Sequence, residues 1–284
     1  MKQLWKWSGL AAMCVATVSG IALAGFYVAS DRIIFRQYDL PPSSMRASAG
    51  PAAVARGKQL AFGYGCADCH GHALLGAFIP DFGMSSRNLT RLASSFSDTD
   101  FERAVRHGLR PDGTSVAEFM PSDSFRYMPD RDLADILAYV RSLPPAGTDI
   151  PFPSYGLKAR IGFLRGDAHT DQYWFALQKA ALDLGPHYAR GRVVAMTACG
   201  ECHMTPLSGQ PENTPPPRPP DLSLVASYSR ADFLTLMHTG KAAGNRELPM
   251  MSAAARVRFS HFSGDDLNAL YDYLSARGRK LTGG

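Results

Sequence analysis

The hydrophobic and polar positions of the chain fall into distinct regimes. Residues 8–30 form 23 consecutive positions without a charged side chain. As a helix they would extend about 34 Å, enough to cross a hydrocarbon core of about 30 Å. Trp5 and Trp7 precede the run, and Phe26, Tyr27, Phe35 and Tyr38 lie at or beyond its far end, where aromatic rings favour the two interfaces. Residues 1–34 therefore read as an N-terminal membrane anchor. Ala22-Leu23-Ala24 keeps a cleaved signal segment open as the alternative. Lys2 and Lys6 on one side and Arg32 and Arg36 on the other leave the orientation undecided by charge. Cys14, preceded by Met13, reads as a lipid-facing or packing residue.

Beyond the anchor the apolar positions recur with a helical period. Leu133, Ile136, Leu137 and Val140 fall at i, i+3, i+4 and i+7, and Leu267, Leu270, Tyr271 and Leu274 repeat that stripe. Ser263 with Asp266 resembles a capping box, and Asp130 is a candidate cap for the earlier helix. Further helices are expected over residues 53–64 and 189–197. Pro144-Pro145 ends one unit, residues 150–156 read as linker, and residues 157–183 as a partly helical connection. Strand signals are few, so the body is expected to be mainly α.

The two stripes belong to a longer repeat. Arg56-Gly57 recurs as Arg190-Gly191, Leu89 as Leu222, Asp100-Phe101 as Asp232-Phe233, Gly108 as Gly240, Phe125 as Phe259 and Leu133 as Leu267. The offset stays between 132 and 134 throughout. Such a period is too long for a solenoid and signifies duplication of a domain. The organisation read from it is an anchor over 1–34, a first domain over 35–148, a connecting segment over 149–186 and a second domain over 187–284.

Each copy carries the same short motif, Cys66-Ala67-Asp68-Cys69-His70 and Cys199-Gly200-Glu201-Cys202-His203. C-x-x-C-H is the attachment signature of c-type haem. Chance would place roughly 0.003 such matches in a chain of this composition, so a pair is not accidental. Two thioether bonds would fix a porphyrin to Cys66 and Cys69, and to Cys199 and Cys202. One helical turn then sets His70, and His203, beneath the iron. Zinc shared among the four cysteines is a weaker reading, because a duplicated domain implies that each motif works alone, and two redox disulfides are weaker too, because the His and the downstream Met recur together.

An electron-transfer haem needs a sixth ligand, usually Met, whose soft thioether tolerates both iron oxidation states. The first copy offers Met120 and Met128. Aligning Phe125 with Phe259 sets Met128 opposite Phe262, a position that reads as core, so Met120 is the expected ligand. The second copy offers adjacent Met250 and Met251, which cannot both face one iron. Met84, Met196, Met204 and Met237 read as core or loop residues, and His72, His107, His169, His187, His238 and His261 as surface or core residues. Residues 211–220 hold six prolines and read as a polyproline-like solvated loop.

Composition changes this picture little. Hydrophobic residues make up 45% of 284 positions, enough for a packed core, and five cysteines are too few for a disulfide scaffold. The formal charge of +5 is unclustered and would be largely offset by haem propionates, which argues against nucleic-acid binding.

The chain resembles the multihaem cytochrome c subunits of bacterial membrane-bound dehydrogenases, of the alcohol and gluconate type, over about residues 50–284. In the first copy the resemblance rests on Arg56-Gly57, the C-x-x-C-H motif, Asn88-Leu89-Thr90, Arg106-His107-Gly108 with Pro111-Asp112-Gly113, Met120-Pro121, and Asp132-Leu133 leading to Leu143-Pro144. In the second it rests on Arg190-Gly191, the second C-x-x-C-H with Thr205-Pro206, and Met251 before Phe259-Ser260-His261-Phe262. It implies that Met120 and Met251 are the axial ligands. Those subunits often carry three haems and a C-terminal anchor. This sequence has two motifs, an N-terminal apolar segment and no hydrophobic tail.

The expectation is thus two tandem class I cytochrome c-like domains behind one transmembrane helix. With two covalently bound haem c groups, the protein would relay electrons among redox partner proteins at the bacterial inner membrane, with its body in the periplasm and no small-molecule substrate. Rival readings are a dihaem subunit of a haem–copper oxidase and a dihaem peroxidase or sulfur-compound oxidoreductase.

Overall fold

The computed structural model describes residues 2–79, 84–116, 120–152, 155–212, 214 and 218–283, and of residues 2–8, 11 and 84 the backbone only. Trp5, Trp7 and the Met84 side chain, and residues 213 and 215–217 of the proline-rich stretch, lie outside that description. The chain is mostly helical. A first set of helices is α1 (Lys2–Ile34), α2 (Pro51–Gly63), α3 (Cys66–His70), α4 (Leu89–Ser95), α5 (Asp98–His107), α6 (Ser122–Phe125) and α7 (Asp130–Ser142). Two connecting helices follow, α8 (Leu157–Arg165) and α9 (Asp171–Leu177). The last set is α10 (Ala189–Val194), α11 (Gly200–His203), α12 (Arg230–Thr239), α13 (Pro249–Val257) and α14 (Gly264–Thr282). Strand is confined, among the described residues, to two antiparallel two-residue pairs: Phe78–Ile79 with Met84–Ser85, and Lys241–Ala242 with Arg246–Glu247.

Helix α1 contains an apolar stretch, Ala12–Ile34, long enough to cross a membrane and, before its last turn, left uncovered by the rest of the chain. Its last turn is different in kind. Ser30 and Ile34 are buried, and Arg160 of α8 donates to Ser30 Oγ at 2.7 Å and pairs with Asp31 at 2.6 Å. The end of the uncharged run therefore packs on the folded body.

The repeat in sequence reappears as a repeat in packing. Helix α2 crosses α7 at Gly57, where a Cβ would lie 1.8 Å from the Asp135 carbonyl oxygen. Helix α10 crosses α14 at Gly191, where a Cβ would lie 1.9 Å from the Ala269 carbonyl oxygen. Only glycine permits that approach, because the obstacle is backbone. Gly57→Ala and Gly191→Ala should each cost roughly 2–3 kcal/mol as the helices are forced apart, read as a lower midpoint in chemical denaturation. An unchanged midpoint would contradict the crossing.

The same ion pair braces each crossing. Arg56 binds Asp132 and, at 2.7 Å, Asp135, while Arg190 binds Asp266 at 2.7 Å. Arg190 also reaches Asp132, whose buried carboxylate accepts Tyr64 Oη at 3.1 Å as well. Burial alone would raise the Asp132 carboxyl, but its arginine partners hold it below the usual range. The two crossings thus share one charged network, and their apolar faces join in one continuous core that includes Leu60, Tyr64, Leu133, Leu137, Val194, Leu267, Leu270 and Tyr273.

Local capping follows the sequence with one correction. Ser97 and Ser229 accept the N–H of Asp100 and Asp232 at the starts of α5 and α12, and Ser263 accepts that of Asp266 at α14. Asp130 does not cap α7. The N-cap is Pro129, and Asp130 is the first helical residue, its carboxylate paired with Arg106 at 2.7 Å. A proline there presets the extended entry, so the aspartate is freed to serve the dipole and the arginine. The helix expected over 189–197 is α10 continued by a π turn over Ala195–Cys199, which re-aims the chain into the second motif.

Candidate haem sites

Each C-x-x-C-H segment forms a short helix of its own at the end of a longer one. In the first, α2 stops at Gly63 and Gly65 takes a left-handed conformation, φ 80°, so that α3 starts in a new direction. Cys66, Cys69 and His70 are half-buried on that turn. In the second, Cys199 and His203 are buried and Cys202 is exposed.

The two histidines are held identically. His70 Nδ1 lies 2.7 Å from the Arg87 carbonyl oxygen, and His203 Nδ1 lies 2.8 Å from the Pro220 carbonyl oxygen. A carbonyl can only accept, so Nδ1 carries the proton and Nε2 keeps its lone pair for a metal. Burial lowers both histidines, though each carbonyl bond opposes it, which favours the neutral imidazole that ligation requires.

The loop after each histidine is also the same. Gly76 and Gly209 donate to the His70 and His203 carbonyls at 2.9 and 3.0 Å. Leu74 and Leu207 are wholly buried and left-handed, at φ 56° and 63°. Their carbonyls accept the N–H of Leu89 and Leu222 at 2.8 and 3.0 Å. A branched side chain tolerates that backbone region only where its surroundings over-determine it. The tight return brings the Arg87 and Pro220 carbonyls back under the imidazoles.

A cleft of about 1260 Å³, including the part open to solvent, adjoins the first motif. Cys66, Cys69 and His70 form one wall, Met120 and Met128 are both on the lining, and the rest is largely apolar, with Leu89, Phe101, Ile136 and Val140. Arg87, Arg110 and Phe152 also line it, with the Arg87 and Arg110 guanidiniums stacked 4.3 and 4.7 Å from the Phe152 ring. Arg87 Nε and Arg110 Nε and Nη2 are buried without a hydrogen-bond partner. Buried guanidinium donors left so are costly unless an acceptor meets them. A large flat apolar group with carboxylates would fill the cleft and satisfy them, so the residues present fit haem. Burial pushes the Cys66 and Cys199 thiols up to about 12. Among the described residues no three His, Cys, Asp or Glu side chains gather as a metal site.

The candidate axial methionines differ in burial. Met120 is half-buried in the turn before α6, with its carbonyl accepting the Ser122 N–H at 2.7 Å. Met128 is 3% exposed, and its counterpart Phe262 is buried against Tyr64 with ring centroids 5.1 Å apart. Met251 packs half-buried against the core, whereas Met250 is 60% exposed. Of the other methionines, Met196 and Met237 are buried, and Met204 is half-buried with φ 62° in the position matching Gly71.

Sequence reasoning passed over Arg87, Arg110 and Arg258. Arg258 donates to Asp68 of the first motif and, at 2.6 Å, to Glu201 of the second. The repeat held a signal for the first of these: the 133-residue offset that pairs His70 with His203 also pairs Arg87 with Pro220, whose carbonyls accept from the two imidazoles. Arg258 falls opposite Ser124 and left no such trace.

Residues 54–144 match the family model for cytochrome c. The chain is 26% identical to the cytochrome subunit of fructose dehydrogenase from Gluconobacter japonicus, over 86% of this chain and 56% of that one. It is 27% identical to the cytochrome c subunit of gluconate 2-dehydrogenase from Pantoea cypripedii, over 82% of this chain and 61% of that one. A dihaem c-type cytochrome of Cereibacter sphaeroides is 26% identical, over 67% of this chain and 69% of the relative. The chain thus spans less than two thirds of the length of the first two.

Proposed function

We propose that this chain, which carries a cytochrome c domain, is a dihaem electron-transfer subunit of a membrane-bound dehydrogenase, tethered by α1 with its haem domains in the periplasm. The observation that carries the reading is the repeated site: two C-x-x-C-H turns, each with its histidine Nδ1 pinned to a carbonyl 17 residues onward. Cys66 and Cys69 would hold one haem c and Cys199 and Cys202 the other. His70 with Met120, and His203 with Met251, would be the axial pairs. Haem iron supplies one-electron exchange; the chain excludes water, fixes the ligands and sets the potentials.

The repeated crossings at Gly57 and Gly191 and the repeated return loops support two haem domains rather than one. Relatives named as subunits of fructose and gluconate dehydrogenases support a dehydrogenase partner acting on a sugar, sugar acid or alcohol. Covalent haem attachment of this type takes place outside the bacterial cytoplasm, which favours an N-terminus in the cytoplasm and a body in the periplasm. Isolation in mild detergent tests the partner: a flavin- or quinone-containing dehydrogenase should co-purify and reduce both haems when given its substrate. Co-purification with a copper oxidase instead would replace this reading.

The anchor gives a separate expectation. A chain beginning at Tyr27 behind a cleavable leader should be soluble without detergent. One beginning at Phe35 should be soluble but less stable by about 2 kcal/mol, because buried Ile34 is lost with it. Detergent-free yield and urea midpoints check both. Retention of the first protein on membranes would remove α1 as the tether.

A further inference from the structure

The two attachment turns lie 133 residues apart in sequence, yet one side chain touches both. Arg258, in the turn between α13 and α14, donates through Nε to Asp68 and through Nη1 to Glu201. Asp68 lies between Cys66 and Cys69, and Glu201 between Cys199 and Cys202, so each carboxylate belongs to the segment that carries the thioether edge of its haem. The guanidinium is also packed, not adventitious. A Cβ on Gly65 would fall 2.7 Å from Arg258 Cζ, so the residue before Cys66 must be glycine for the arginine to lie there. The next residues continue the contact, with His261 against Phe62 at 5.1 Å between ring centroids and the Phe262 ring over Gly63.

The contact breaks the internal symmetry. The repeat pairs Arg258 with Ser124, which faces Gly200 of the second motif, 3.0 Å from its would-be Cβ. The first copy thus presents a small hydroxyl to the second motif, while the second copy presents a cation to both. Arg258 and Glu201 also line the cleft beside Cys66 and Cys69, so the second motif forms part of the wall of the first site. Burial alone would pull the Arg258 guanidinium down, but Glu201 and Asp68 hold it above its ordinary value, and it stays charged.

We propose that Arg258 is a positioning residue shared by the two haems: it locks their attachment turns edge to edge and supplies one positive charge that raises the potentials of both. The lock would fix the spacing of the two attachment turns, and with it that of the haem edges they would carry. The charge sets the sign. Without it two carboxylates face each other beside both haems, which favours the ferric state with its extra positive charge and lowers both potentials. This rests on the dihaem reading given above.

The test uses the full chain, purified in mild detergent with its haems attached, and spectroelectrochemical titration of both midpoints. R258Q should shift both midpoints negative, by about tenfold in each reduction equilibrium, or about 59 mV for a one-electron couple. R258K, which keeps the charge, should retain most of both values. D68N and E201Q should shift positive, each mainly at the haem of its own motif. Two covalent haems in R258Q with both midpoints unchanged, or only one moved, overturns the proposal. So do D68N and E201Q shifts in the same direction as R258Q, since a merely structural contact would loosen the site whichever partner is lost. Wild-type protein without covalent haem would overturn the dihaem reading itself, an outcome distinct from these.

Discussion

Cys199→Ala, and equally Cys202→Ala, should leave a chain whose first haem is intact and whose second is lost or held by one bond. Where the second haem is lost, the pyridine haemochrome absorbance per chain should fall to about half and the denatured mass by one haem; where one thioether still holds it, the denatured mass should keep that haem. Cys66→Ala and Cys69→Ala should do the converse. Each motif would hold its haem with attachment and ligand groups of its own. Each has its own attachment turn, its own imidazole pinned by a carbonyl, at 2.7 and 2.8 Å, and its own glycine-mediated helix crossing. What they share, the Asp132 network and the Arg258 bridge, joins protein to protein and holds neither imidazole. The first site should suffer more in stability. Its cleft is lined by core residues such as Leu89, Phe101, Ile136 and Val140, and without haem their faces meet water at about 25 cal/mol per Å². Loss of both haems from a single Cys199→Ala change would show that the motifs serve one cofactor. Haem extractable from the native protein would end the covalent reading altogether.

The repeated part of this architecture was open to sequence reasoning, because duplication doubles each signal. The stripe of Leu133, Ile136, Leu137 and Val140 became α7, the stripe of Leu267, Leu270, Tyr271 and Leu274 became α14, and the glycines Gly57 and Gly191 sit where those helices are crossed. Ser263 and Asp266 cap as their spacing suggests. Errors arose where a local rule met a competing neighbour. Asp130 has the chemistry of a cap, but Pro129 already fixes the entry to α7, and Arg106 claims the carboxylate. The uncharged run 8–30 gave the length of the apolar segment but not where it meets the body, which Arg160 fixes by drawing the final turn of α1 onto α8. No short-range pattern announces an arginine 130 residues away. Arg258 was hidden for the opposite reason: a reading guided by the repeat looks for what the copies share, and there they differ.

Met120→Ala should abolish the sulfur-to-iron absorption of the first haem and shift its midpoint negative, while Met128→Ala should leave that band in place. Met251→Ala should do the same to the second haem, and Met250→Ala should change little of either kind. The expectation for the first pair rests on burial and on the sister copy, since both methionines line the cleft. Met128 is 3% exposed, packed in the core, and its counterpart Phe262 fills the equivalent space with a ring that has no lone pair to give. Removing Met128 should therefore cost stability, about 2–5 kcal/mol as for other buried methionines, and leave ligation intact. Met120 is half-buried, held in the turn before α6 by its carbonyl bond to Ser122, and lies on the lining of the cleft that His70 shares. The second pair is decided by side-chain direction. Consecutive residues on a helix point about 100° apart, so at the start of α13 only one of them can face inward. Met251 packs against the core, and Met250 is 60% exposed. Red-edge absorption spectra of the oxidised variants, paired with denaturation midpoints, separate a lost ligand from a lost packing contact. A normal band in Met120→Ala with a missing band in Met128→Ala would reverse the first assignment. Bands unaltered in all four variants would mean that neither iron is held by these methionines, and the potentials would then have to be explained by histidine or open ligation.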